Sequence, residues 1–325
     1  MRTLTSGHFA ATVHALLGPA ADPSAPLALA VSGGADSLAL LVLAAEAFAG
    51  RVAALTVDHG LRPEARAEAE AVARAAAARG VPHAILAIAP PGPSNLQADA
   101  RAARYAAMAD WCRSNGMAAL LTAHHLDDQA ETLLLRLARG SGLAGLAGIR
   151  ARAVIAGLPV LRPLLDWPRA TLARITREAG LVPADDPSNR DPRFDRTRAR
   201  ALLGSCRWLA PARLAASAAH LADAEEALAW AAERAWASRA RAQGGGWELD
   251  PEALPGELRR RLLLKGFAAL GAPAPRGPAL ARLIASLEAG RRATLGGIAA
   301  RPLADGRWRL LPAPPRRRPA GHPSA

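Results

Sequence analysis

Between Leu27 and Leu165 short apolar runs alternate with helical segments, and this alternation constrains the fold more than any other feature of the chain. LALAVS (27–32), RVAALTVD (51–58), HAILAIA (83–89) and MAALLTAH (117–124) read as strands. Helices are expected after them, at about 36–48, 63–79, 97–114 and 127–138. Runs so evenly apolar must be covered on both faces of a sheet. A helix between two strands returns the chain to the same edge and makes the strands parallel. The expected fold class is α/β: a doubly wound parallel sheet with a smaller, mainly helical C-terminal domain. VIAGLPVLRPLL (154–165) adds a last strand, and PRATLARITREAG (168–180) a helix with Pro168 in its first turn.

After LVPADDPSNRDPRFDRTRAR (181–200) the rhythm changes. Residues 208–243 read as nearly continuous helix broken by the glycines 244–246, and helical segments follow at about 251–270 and 276–289. TLGGIAARPLADGRWRLLP (294–312) reads as a hairpin about Asp305-Gly306. We expect a catalytic domain over 1–205, with its core at about 25–180 and a basic linker at 181–205. A mainly helical domain follows over 206–312, ending in the small hairpin, and then a disordered tail over 313–325.

Charge divides the chain in the same way. Residues 1–150 hold 12 arginines against 12 acids, whereas residues 151–325 hold 29 basic and 16 acidic residues and so the whole net charge of +13. Lys265 is the single lysine. A GC-rich genome explains arginine in place of lysine, but not the asymmetry. Arginine's planar fork suits phosphate, so the second half is expected to meet nucleic acid. Cys112 and Cys206 form no CxxC pair, which argues against a disulfide framework or structural zinc and fits a reducing, cytoplasmic setting. No basic-then-apolar leader occupies residues 1–20, and the greasiest run contains Asp36, so no membrane span is expected.

That greasy run holds Ser32-Gly33-Gly34-Ala35-Asp36-Ser37, where a core strand would simply continue. At a strand end opening into a helix, free backbone N–H groups and the helix dipole make an anion site. Glycines admit the anion to the backbone, and Ser32 and Ser37 add hydroxyls. Asp36 taken alone is explained by helix capping. In a phosphate site its carboxylate needs an intervening cation, and Mg²⁺ bridging to phosphates supplies one. The loop is neither GxGxxG nor a Walker sequence.

Other polar clusters fall where such a sheet places its ligands. Asp58 and His59 end the second strand, where a nucleotide rim would lie; His59 alone fits a helix-entry turn as well. Arg101, Arg104 and Tyr105 share a helix. TAHHLDDQAET (122–132) ends a strand in His124 and His125 and opens a helix with Asp127, Asp128 and Glu131. The spacing of Asp128 and Glu131 suits a capping box, but capping leaves the two histidines unexplained. A transition-metal reading of HHxDD lacks a matching ligand set elsewhere.

SGGADS resembles the PP-loop of the ATP pyrophosphatases, and the whole series resembles one family within them. SGGADS, VDHGLR, ARAARY, AHHLDDQAET, RGSGLAGLAG (139–148) and DPSNRDPRFDRTRAR (186–200) are similar, in this order, to the motifs of the tRNA(Ile)-lysidine synthetases. The likeness spans about 25–205 in motif detail and is general beyond it. Arg196-Thr197 stands where many relatives have Arg-Asn, and the C-terminal region is shorter than in relatives with an additional domain.

The resemblance implies ATP as co-substrate, Mg²⁺, L-lysine and the CAU-anticodon isoleucine tRNA. It implies adenylation of the wobble cytidine, then attack by the lysine ε-amine, giving lysidine, AMP and pyrophosphate. Ser32 to Ser37 would hold pyrophosphate with Asp36 on Mg²⁺, and Arg104 and Arg196 would meet developing phosphate charge. Asp128 and Glu131 would hold the ammonium, with His124 or His125 as proton acceptor. Arg190, Arg193, Arg198, Arg200, Arg207 and Arg259–Arg261 are expected on tRNA phosphates. Competing readings are a tRNA thiolase, an ammonia-using ligase and a non-catalytic tRNA binder. A homodimer is among the arrangements the sequence allows.

Overall fold

A computed structural model of the chain describes residues 4–58, 64–88, 96–184, 191 and 193–314. They divide into two compact units, Met1–Asp223 and Ala224–Ala325.

In the first unit the elements run α1 (Ser6–Leu17), β1 (Leu27–Ala30), α2 (Ala35–Ala47), β2 (Val52–Asp58), α3 (Glu64–Ala77) and β3 (His83–Ala87). They continue with α4 (Leu96–Ser114), β4 (Ala119–Leu121), α5 (Leu126–Ala138), α6 (Leu143–Leu146), β5 (Arg152–Ile155), β6 (Leu158–Leu161), α7 (Arg169–Glu178) and α8 (Asp195–Ser205). The sheet order is β3-β2-β1-β4-β6-β5, parallel except for β5, which pairs antiparallel with β6. Successive strand residues face opposite sides. Leu27, Leu29 and Leu121 therefore join one core with residues of α1, α2, α3 and α7. Ala28, Leu55, Leu120 and Val160 join the other, with Tyr105, Met108 and Cys112 of α4. The sheet is doubly wound, as the alternation requires.

Three local readings change. VIAGLPVLRPLL is two strands turning at Ala156-Gly157, where both residues have positive φ, rather than one. The stretch expected to be a basic linker carries a helix, α8, over its last 11 residues. Helix α1, which the sequence reading did not anticipate, buries Phe9 and Val13 beneath the sheet.

The RGSGLAGLAG segment braces α5. Gln129 Oε1 accepts from the Ile149 N–H (2.7 Å) and its Nε2 donates to the Ile149 carbonyl (2.9 Å). Gly148 makes the clasp possible: its φ is +68°, and a Cβ there would overlap Gln129 Oε1. Gly148→Ala is expected to destabilise the protein by about 1–3 kcal/mol through strain and overlap. The same substitution in a Gln129→Ala background should cost measurably less in a denaturant-unfolding double-mutant cycle, because the overlap is then gone.

Helix α9 (Pro211–Arg239) runs across the boundary between the units. In the second unit follow β7 (Ala240–Gln243), β8 (Gly246–Leu249), α10 (Gly256–Ala269), α11 (Gly277–Glu288), β9 (Ala293–Leu295), β10 (Ile298–Pro302) and β11 (Trp308–Pro312). The strands form an antiparallel sheet in the order β7-β8-β11-β10-β9, with Leu262, Phe267, Leu283, Trp308 and Leu310 in its core. The expected helices are present, and so is the Asp305-Gly306 hairpin, but the hairpin belongs to a five-stranded sheet. The glycines at 244–246 are the reason. They make the β7–β8 turn rather than merely ending a helix, and a Cβ on Gly246 would collide with the Leu310 carbonyl. No helix among the described residues is long and apolar enough to cross a membrane.

Candidate active site

Strand order reverses between β1 and β4, the place where an open α/β sheet leaves a crevice beyond its strand ends. A cavity of about 590 Å³ lies there. Ser32, Gly34, Asp36 and Ser37 line it after β1, and Thr122, His124 and Asp128 after β4. Thr56 of β2, Glu68 of α3, Arg101, Arg104 and Tyr105 of α4, and Arg196 of α8 complete its polar wall, with the apolar Val57 of β2 beside them.

The SGGADS loop is held by its own side chains. Ser37 Oγ accepts from the Ser32 N–H (3.1 Å) and donates to the Gly34 carbonyl (2.9 Å). Gly33 has φ +86°, and its carbonyl accepts from the Ala184 N–H. A Cβ there would meet only ordinary contacts, so conformation rather than space demands glycine. Gly34 is the N-cap of α2, whose first N–H groups have no intrahelical partner and face the crevice end of the helix.

Beneath the loop lies a buried imidazole among carboxylates. His125 is 2% exposed, and its Nε2 is 3.4 Å from Asp36 Oδ2 and 3.6 Å from Asp128 Oδ2. Its Nδ1 is 3.7 Å from Asp127 Oδ2. Burial alone would lower the His125 pKa. The contact with Asp36 and the charges of Asp128, Asp36 and Asp127 outweigh burial, and the net shift is upward. Asp128 also accepts from the His125 N–H (3.1 Å), so the helix cap is built from His125 and Asp128 rather than from Asp128 and Glu131.

Asp36 Oδ1 is buried without a hydrogen-bond partner. An orphaned carboxylate oxygen at the mouth of a phosphate-type loop fits a cation. Among the described residues no three His, Cys, Asp or Glu side chains form a complete ligand set. The donor set therefore suits Mg²⁺, which uses one or two carboxylates and completes its shell with phosphate oxygens and water.

The opposite wall is cationic. Among the described residues neither Arg104 nor Arg196 has a carboxylate partner. Burial, then the neighbouring Arg101, lowers the Arg104 pKa. Arg101 stacks over the Tyr105 ring at 5.0 Å and donates to its hydroxyl. His124 hydrogen-bonds through Nδ1 to Thr122 Oγ1 (2.8 Å). Its pKa falls to about 4, chiefly by burial, with Asp128 opposing and Arg162, Arg101 and Arg196 adding to the fall. The ring is neutral at pH 7 and available as an acceptor.

A consequence for stability follows from that depression. Above an unfolded-state pKa of about 6.5 His124 is neutral in both states. As pH falls toward 4 the unfolded chain takes up the proton first, so the native state loses stability over this window. Thermal unfolding of His124→Asn across pH 7 to 4 is expected to fall less steeply than wild type.

Other expected site residues take different places. Glu131 is 1% exposed and does not line the cavity; Arg200 Nε of α8 donates to its Oε1 (2.8 Å), while Oε2 is buried without a partner. Asp58 ends β2 beside the cavity-lining Val57. His59 and residues 186–190 lie outside the described residues. Most of the arginines expected on RNA are committed to acids of their own unit: Arg193 to Asp191, Arg198 to Asp195, Arg260 to Glu257, and Arg261 to Glu225 and Glu257. Arg259 pairs with Glu288. These acids sit mostly two to four residues away or on the facing helix, which a count of net charge does not reveal.

Sequence reasoning missed Arg162 and Thr56. Arg162, 5% exposed at the end of β6, donates to the Arg150 carbonyl (2.6 Å) and sits close enough to depress His124. An arginine inside the apolar run VLRPLL was the available signal. Thr56 Oγ1 donates to the Val31 carbonyl (2.8 Å), so the His83 Nε2 at 2.8 Å is its donor.

Comparison with known proteins agrees with this geometry. The PP-loop domain family matches residues 6–205. The tRNA(Ile)-lysidine synthase of Novosphingobium aromaticivorans is 48% identical over 302 residues, covering 92% of each chain. Those of Zymomonas mobilis and Methylobacterium nodulans are 45% and 44% identical, covering 91% of each chain and 97% and 98% respectively. The structure of a U34-tRNA thiolase from Methanococcus maripaludis superposes with a TM-score of 0.53 at 16% identity over 69% of this chain and 76% of that one, which shows a shared fold. The crevice loop, the orphaned carboxylate and this breadth of identity together place the chain in the tRNA(Ile)-lysidine synthase family of PP-loop ATP-using ligases.

Proposed function

We propose that the protein joins L-lysine to the wobble cytidine of the CAU-anticodon isoleucine tRNA, releasing AMP and pyrophosphate. The observation that carries the reading is the pairing, across one cavity, of a phosphate-type loop and three guanidiniums, Arg101, Arg104 and Arg196. The first strand end would hold the phosphates of ATP through the α2 N-terminus, Ser32 and Ser37, with Asp36 toward Mg²⁺. Bound there, Mg²⁺ would neutralise charge on the phosphate oxygens.

The cytosine 2-oxygen is a poor leaving group until adenylated, and Arg104 and Arg196 face the charge that develops as it attacks the α-phosphate. Lysine then needs its ε-ammonium held and deprotonated. Asp128 faces the cavity for the first task, whereas Glu131 lies buried outside it, held by Arg200 of α8. His124, neutral and cavity-facing, is the proton acceptor; His125 lies beneath the carboxylates and orients Asp36 and Asp128. A cytoplasmic location suits a tRNA-modifying reaction.

A thiolase reading fares worse. Cys112 is buried in the core under α4, its pKa pushed up to about 11 by burial, and so is not a thiolate at neutral pH.

The test is incorporation of labelled lysine into a CAU-anticodon isoleucine tRNA transcript with ATP and Mg²⁺, against a methionine tRNA. Label in the isoleucine tRNA alone supports the reading. Pyrophosphate release without label would keep the loop chemistry and reject the nucleophile. Asp128→Asn should raise the lysine KM about tenfold or more, as expected for a lost charge-assisted contact; an unchanged KM would remove Asp128 from the amine site.

A further inference from the structure

Helix α8 begins in the cavity wall with Arg196 and ends in a turn that presents Trp208 to solvent. Trp208 is 90% exposed, more than any other large apolar side chain among the described residues. Tryptophan is usually well buried, because its indole carries a large apolar surface. Trp230, 64% exposed, has the Arg234 guanidinium over its ring at 5.1 Å, whereas no ring or cation among the described residues covers Trp208.

The turn itself is ordered. The Cys206 N–H donates to the Leu202 carbonyl (3.0 Å) and the Leu209 N–H to the Cys206 carbonyl (3.1 Å). Leu202 is also half-exposed, and Arg207 is exposed with no carboxylate partner among the described residues. This pair of exposed apolar groups is small for a protein interface, which needs a contiguous patch of several hundred Å². An indole beside an exposed arginine is instead the arrangement that stacks a nucleobase and meets its phosphate.

We propose that Trp208 is a stacking platform for an unpaired base of the tRNA anticodon loop, with Arg207 on the adjoining phosphate. The proposal rests on the tRNA substrate argued above. A cytidine entering the cavity leaves its neighbours without a stacking partner. The 11-residue α8 spans about 16 Å. The platform therefore sits a few nucleotides from the reacting base, within reach of the same loop. Stacking of this kind tolerates any base, so Trp208 contributes affinity and loop geometry rather than sequence choice.

W208A is a suitable variant because so exposed a side chain holds little of the fold. It is expected to raise the KM for the isoleucine tRNA transcript about tenfold, with W208F within about threefold. The ATP KM should not move. A synthetic anticodon stem–loop should quench an emission component of wild type that W208F lacks. R207Q should raise the tRNA KM less, and by an amount that shrinks as salt increases. A W208A tRNA KM within twofold of wild type would overturn the proposal. So would an equal rise in the ATP KM, or a change in sedimentation that makes Trp208 a protein–protein contact. Failure of wild type to incorporate lysine would count against the functional reading instead, and the quenching experiment would still decide the platform.

Discussion

Asp36→Asn is expected to lower tRNA-dependent pyrophosphate release by about three orders of magnitude while the protein stays folded. The magnitude separates two roles. A first-turn carboxylate that only complements the α2 dipole contributes about 0.3–1 kcal/mol, and its loss would leave the chemistry nearly intact. A carboxylate that fixes a cation on the reacting phosphates acts on the transition state, and an amide of the same shape does not replace it. The buried, partnerless Oδ1 favours the second role, since a cap would spend its oxygens on backbone N–H groups. The change also withdraws the largest of the contacts that raise the His125 pKa, so the variant's imidazole should titrate lower by NMR. Residual activity above a tenth of wild type would reduce Asp36 to a helix-end charge.

The parts of this site legible in the sequence share a property: each lies at an element end and within a few residues of its partners. SGGADS could be read because strand, loop and helix follow one another, and Gly33 indeed takes a conformation that favours glycine. His124, His125 and Asp128 were legible for the same reason. What their order along the chain did not show was that the two histidines point to different surroundings, one toward arginines and the cavity, the other toward three carboxylates. Long-range pairs were silent as well. Glu131 meets Arg200, and Arg162 approaches His124 only because β6 lies beside β4. In the second unit, β8 finds β11 across two helices, and four-residue strands with exposed partners carry little periodic signal.

Arg104→Gln is expected to weaken ATP and to strengthen the free protein, and the two effects have one cause. Arg101, Arg104 and Arg196 line a single cavity, and Arg162 lies close enough to act on the same His124. Burial already disfavours the charge on Arg104 and Arg101 adds repulsion; Tyr105 opposes them, and the net shift is downward. Removing the guanidinium should relieve that strain and raise Tm by a few degrees in the absence of nucleotide. A triphosphate would offset the same repulsion by binding. Its loss of one charge-assisted contact should raise the ATP KM about ten- to a hundredfold. The Tm gain on adding ATP and Mg²⁺ should then be smaller in the variant, since that gain follows the ratio of nucleotide concentration to Kd. A lower Tm without nucleotide would mean that Arg104 holds the fold through contacts of its own. A KM unchanged by the substitution would take the phosphates off this wall, and with them the reading that the cavity is built around a polyanion.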